Sequence, residues 1–190
     1  MTQSVRVLAK LYAGVDVGGP RKGFHAAVID ERAVVAGPTH LPDVEAAVRW
    51  LVDHAPVMVA VDSPITLGPR DCERALARDV CHLYYTPAAL GGPFYDWMRN
   101  GFALYAALRE SGLAAIECFP TATWTILAGP RGDRPRRTWS SESLATLGLA
   151  GIPARLDQDG RDAICAAYTA RVHARGRADP RFMPIAVPLA

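Results

Sequence analysis

The chain has few cysteines, little net charge and no long apolar run, and each shortage narrows what it can be. Its four cysteines (Cys72, Cys81, Cys118 and Cys165) show no C-x-x-C spacing. Three of them lie in segments that read as core, so packed, reduced thiols and a cytoplasmic location are expected. A formal net charge of +2 over 190 residues is too small to mark a nucleic-acid binder by electrostatics alone. No apolar run approaches the ~18 residues of a membrane span. The stretch from Met1 to Leu11 lacks both a continuous apolar segment and a small-residue cleavage site, so no secretory signal is expected. Repeats, low-complexity tracts and dividing linkers are missing as well. Residues 1–190 read as one soluble globular domain, large enough for a core without disulfide or metal staples.

Common catalytic motifs are also lacking. The glycines around Asp16 do not spell G-x-x-x-x-G-K-[ST], and a strand rather than a helix follows them. Both facts count against a phosphate-cradling loop and a dinucleotide fingerprint. Ser63 lacks a G-x-S-x-G elbow. The five histidines have no metal-ligand spacing, and neither Cys72 nor Cys81 has a histidine partner in sequence.

What is present is an ordered alternation of apolar runs. Leu11–Val17, Phe24–Ile29 and Ala33–Ala36, separated by Gly18-Gly19-Pro20 and Asp30-Glu31 and ended by Gly37-Pro38, predict an antiparallel meander. Val44, Ala47, Val48, Leu51 and Val52 fall at helical spacing after Pro42. Val57–Val61 is a continuous apolar strand of the kind buried on both faces. Asp71–Cys81 and Phe102–Glu110 are helical patterns, with an irregular aromatic stretch from Leu83 to Asn100 between them. A fifth strand is expected over Ala114–Phe119. Helices follow over Thr121–Leu127, over Ser140–Leu149 with a serine cap, and from about Asp159 to Ala174. The tail after Gly176 reads as a surface strap.

Acidic residues sit at the ends of these elements. Asp16 lies in the first strand, Asp62 closes the fourth, Glu117 lies in the fifth, and Asp159 and Asp162 open the last helix. A carboxylate ending an apolar strand costs folding energy unless it is paired, protonated or bound to a cation. If the first and fourth strands are parallel neighbours, Asp16 and Asp62 emerge at the same height and resist joint ionisation. A divalent cation removes that conflict, and an oxygen-rich set suits Mg²⁺ or Mn²⁺. Asp159 and Asp162 are spaced i, i+3 on one helix face, both in its first turn. Alanines 163, 166, 167 and 170 would let that helix press on the sheet. Taken singly, each of these acids is equally a turn former, a cap or a solvated loop residue.

The ordered set Gly14-Val15-Asp16 with Gly23-Phe24, Val61-Asp62-Ser63-Pro64-Ile65, Arg70-Asp71-Cys72-Glu73, Glu117-Cys118-Phe119-Pro120 and Asp159-x-x-Asp162-Ala163 resembles the DUF429 family. That family is regarded as nucleases of ribonuclease H-like fold. The resemblance implies an α/β domain with a five-stranded mixed sheet flanked by helices. Asp16, Asp62 and Asp162 would be metal ligands, with Asp159 or Glu117 completing the catalytic set. The implied reaction is phosphodiester hydrolysis, with two cations about 3.5–4 Å apart activating water and stabilising the leaving oxygen.

Arg21, Lys22, Arg70, Arg74 and Arg78 would line a positive rim. Arg131, Arg134, Arg136 and Arg137 would track phosphates, with Trp124 and Trp139 stacking on bases. A solvated basic loop is the plainer reading of that last segment. Two other functions fit the chain: a non-catalytic module of the same fold binding nucleic acid or protein, and a phosphotransferase of actin-like type. The second suffers from the presence of one such domain rather than two. The aromatic stretch Leu83 to Trp97 reads as a lid or as the surface of a homodimer.

Overall fold

The computed structural model describes residues 9–189; the N-terminal segment on which the absence of a secretory signal was argued lies mostly outside them. The first strand, β1 (Tyr12–Val17), is buried along its whole length. It hairpins into β2 (Phe24–Ile29) through a turn in which the Gly18 amide donates to the Gly23 carbonyl at 2.8 Å. Gly23 takes φ +61° there, a conformation that favours glycine. Strand β3 (Val34–Leu41) completes the meander but does not stop at Gly37-Pro38 as expected. It runs on past Pro38 to Leu41 along the sheet edge, with register shifts opposite Ala26–Ile29. An edge strand tolerates proline because one side of its backbone makes no ladder.

Helix α1 (Val44–His54) starts at Asp43, whose carboxylate caps the Ala46 amide at 2.8 Å, and buries Ala47 and Leu51. Strand β4 (Met58–Asp62) lies parallel to β1, and β5 (Ala115–Cys118) parallel to β4. Between them come α2 (Asp71–Asp79), a short 3-10 turn at Pro93–Tyr95, and α3 (Asp96–Glu110). Helices α4 (Pro120–Ala128), α5 (Arg136–Ala145) and α6 (Gln158–Ala174) follow. The expected serine cap is not one: α5 begins after Pro135, and the Ser140 hydroxyl lies inside it, donating to the Arg136 carbonyl at 2.8 Å.

The sheet has six strands rather than five, in the order β3-β2-β1-β4-β5-β6. The extra one is β6 (Ile185–Ala186), parallel to β5. The expected surface strap is thus partly core: Ile185, Ala186 and Val187 are buried with Phe182 against α2 and α4 residues.

Strand alternation separates the two faces of the sheet. Ala13, Val15, Val17, Val59 and Val61 pack with α1 and α3, whereas Tyr12 and Ala60 pack with α4, α5 and α6. Gly14 shares the latter face. A β-carbon there would run into the backbone at Ala163 and Ala167, so α6 lies directly on β1. Ala163, Ala166, Ala167 and Ala170, all fully buried, make that approach possible. Among the described residues no helix is long and apolar enough to cross a membrane.

Candidate metal centre

Asp16 stands two residues beyond Gly14 and therefore points to the α6 face. Its register partner on β4 is Asp62, and its partner across β2 is His25. Register partners project to the same side of a sheet, so three titratable side chains meet at one end of β1. Helix α6 brings two more. Asp157 caps it through the Gly160 amide at 2.8 Å, and its first two turns carry Asp159 and Asp162 over the strand ends. Asp162 falls one turn deeper than the first-turn position expected of it.

Four carboxylates share this space with two cations. The Lys22 ammonium donates to Asp159 Oδ1 at 2.6 Å, and the Arg136 guanidinium to Asp162 Oδ2 at 3.0 Å. Asp162 is held further by the indole N–H of Trp124 at 2.9 Å and the Gln158 amide at 3.0 Å. Among the described residues Asp16 and Asp62 make no ion pair. Burial, reinforced by Asp162 and Asp159, pushes the Asp16 carboxyl up to about 7. Burial, with Asp16 and Asp162 next, raises Asp62 well above the ordinary carboxylate range. One ligand atom each from Asp16, His25 and Asp159 lies within 4.8 Å of the others. His25 Nδ1 is buried without a hydrogen-bond partner, and burial holds this imidazole below its usual pKa. Histidine spacing in the sequence had offered no sign of His25; only the hairpin register could have revealed it.

Glu117 is in a different place. Its register partner is Val61, not Asp62, so it leaves the sheet on the α3 side. There the Arg70 guanidinium grips both its oxygens, at 2.6 and 2.7 Å, while the Ile65 amide donates to it at 2.9 Å. Arg70 also binds Glu73, which accepts from the Thr86 amide and hydroxyl. This buried network fastens the loop after β4 to α2 and to the start of the aromatic stretch. Arg70, expected at the rim, is thereby committed to two carboxylates.

The basic residues disperse. Arg21 is exposed on the β1–β2 turn. Arg134 bonds Glu142 and two backbone carbonyls, and Arg137 borders a separate small depression beside Leu156. Only Arg131 and Arg136 of that segment line the large groove that opens at Asp62. Trp124 and Trp139, expected to stack on bases, are core residues at 0% and 1% exposure. Their indole N–H groups bond Asp162 and the Gly129 carbonyl instead.

No protein-family model matches the chain, and no curated protein does. Solved structures do match. A RuvC structure from Thermus thermophilus superposes with a TM-score of 0.54 at 19% identity, covering 94% of this chain and 99% of that one. T. thermophilus RuvC in complex with a Holliday junction substrate gives 0.55 at 18% identity, covering 95% and 99%. The chain thus has a RuvC-like α/β fold, the ribonuclease H-like architecture.

Proposed function

We propose that the protein is a metal-dependent nuclease whose centre is formed by Asp16, Asp62 and Asp162 with Asp159. One observation carries the reading: Asp16 and Asp62 stand directly opposite each other on adjacent parallel strands, under Asp162, without enough local positive charge. The donor set suits a divalent cation. Its hard carboxylate oxygens match Mg²⁺ or Mn²⁺, two of the acids lack an ion pair, and the His25 imidazole, whose Nδ1 is orphaned, lies beside Asp16 and Asp159. The RuvC neighbour bound to a Holliday junction supports nucleic acid as the substrate class.

When bound, the cation supplies Lewis acidity and a water nucleophile at neutral pH. Asp16 and Asp62 would hold it at the sheet. Asp162, oriented by Trp124 and Gln158, would complete the set from α6, with the cation replacing Arg136 as its charge partner. The Arg136 side chain is 43% exposed and so has solvent to move into. Asp159, with Lys22 beside it, is the carboxylate left to orient an attacking water, since Glu117 is occupied by Arg70.

The test is cleavage of single-stranded, duplex, hybrid and branched nucleic acids in Mg²⁺ or Mn²⁺. Wild type should cut at least one of them, and Asp16→Asn should cut none. Undiminished cutting by Asp16→Asn removes the assigned role.

A further inference from the structure

A groove of about 1330 Å³ has Asp62 in its lining but not Asp16, Asp159 or Asp162. Small-molecule sites occupy roughly 300–1,000 Å³, so this one is the size for a segment of polymer. Its lining is of two chemical kinds. One is aromatic, built from residues 82–97, with Tyr84 91% and Phe94 75% exposed. The other carries Arg131 and Arg136.

These aromatic rings are displayed on an anchored support. Thr86 is buried and bonded to Glu73, the Pro87 carbonyl accepts from the Gly68 amide at 2.8 Å, and the Leu90 carbonyl accepts from Arg99 at 2.8 Å. Tyr84 stands edge-on to His82, and Phe94 edge-on to Tyr95, at centroid distances of 5.4 and 5.1 Å. Each exposed ring is therefore braced by a neighbour while its outer face stays open.

Resting on the nuclease reading of the acidic cluster, we propose that this groove holds an unpaired stretch of nucleic acid leading to the phosphate at Asp62. Tyr84 and Phe94 stack on its bases, and Arg131 and Arg136 meet its phosphates. Charge favours this occupant once the ion pairs are counted: Glu73 and Glu117, which also line the groove, are paired with Arg70, so Arg131, and Arg136 where it leaves Asp162, can meet an anionic backbone while uncharged rings meet the bases. In a duplex, the base faces are covered by their neighbours, leaving nothing for these rings to stack on. Aromatic stacking tolerates any base, since every base offers a π face. The groove therefore selects for strandedness rather than sequence.

Fluorescence anisotropy tests this with the full chain, in Ca²⁺ or EDTA to suppress turnover. The probes are a labelled oligothymidylate of about 12 nucleotides and a blunt duplex of the same length. Wild type should prefer the single strand. The double variant Tyr84→Ala/Phe94→Ala should weaken single-strand binding by at least about tenfold, the scale of losing two stacked bases, and leave duplex binding and the melting temperature unchanged. Tyr84→Trp should retain binding and show indole quenching by the single strand. Equal single-strand affinity in the double variant, or duplex preference in wild type, overturns the proposal. So does a dimer that falls apart in the double variant while single-strand binding persists, because the rings then form a contact between copies. Cleavage assays on wild type and the double variant separate the two readings. Aromatic-dependent binding with no cleavage of any substrate by wild type sinks the nuclease, not the groove. Cleavage that ignores the aromatic substitutions sinks the groove, not the nuclease.

Discussion

At the residue scale, burial of the Asp16 carboxyl among other acids weighs on stability. Its folded pKa of about 7 lies above the ordinary 3.8, so the folded state keeps a proton that the unfolded state has released. Stability contributed by that proton is complete below about pH 4 and is lost as pH rises through about 7; Asp62 extends the loss upward. The cation-free protein should melt at falling temperatures from pH 4 to pH 8. Asp16→Asn should flatten that profile and, by pH 8, melt several degrees higher, on the order of a few kcal/mol. Parallel profiles from scanning calorimetry in EDTA would refute the coupling. Glu117 should behave differently. Arg70→Ala strands Glu117 and Glu73 as buried charges and should cost about 3–5 kcal/mol in urea unfolding. Glu117→Gln, although destabilising, should leave Mn²⁺ affinity as it was; a tenfold loss would return Glu117 to the centre.

Among the elements, the contact of α6 with β1 determines whether the acids meet. Gly14→Ala places a methyl group in the α6 backbone and should cost at least about 1–3 kcal/mol, a drop of several degrees in melting temperature. Because α6 would be pushed off the sheet, Mn²⁺ binding should weaken too, though no ligand is changed. An unchanged titration would show that the helix does not position the site. This contact was largely legible beforehand. The apolar runs gave β1, β2 and β4, and the alanine series gave the close helix. Register was harder to read: one residue of offset on β5 sends Glu117 to the opposite face. Local chemistry also misled at Ser140, because a serine hydroxyl bonds back to the carbonyl four residues earlier as readily as it caps. Proline at position 38 suggested a stop where an edge strand simply accepts it. The burial of Trp124 and Trp139 depends on α4 and α5 packing beside α6, which no local pattern encodes.

On the scale of the whole molecule, β6 returns the chain to the sheet edge beside β5. Two residues are too few for a strand signal, which is why the tail read as a strap. Its burial makes a clear prediction: Ile185→Ala should lower stability by about 2–5 kcal/mol and leave cation binding intact, as checked by paired thermal and metal titrations. The register of β1 and β4 puts the acidic cluster at one end of the sheet, where Asp62 also lines the groove. The most direct measurement is calorimetric titration of Mn²⁺ into wild type, Asp16→Asn, Asp62→Asn and Asp162→Asn. The account requires saturable binding by wild type and at least about a tenfold loss, some 1.4 kcal/mol, in each variant. Wild type that takes up no Mn²⁺, or variants that bind it as wild type does, would contradict it.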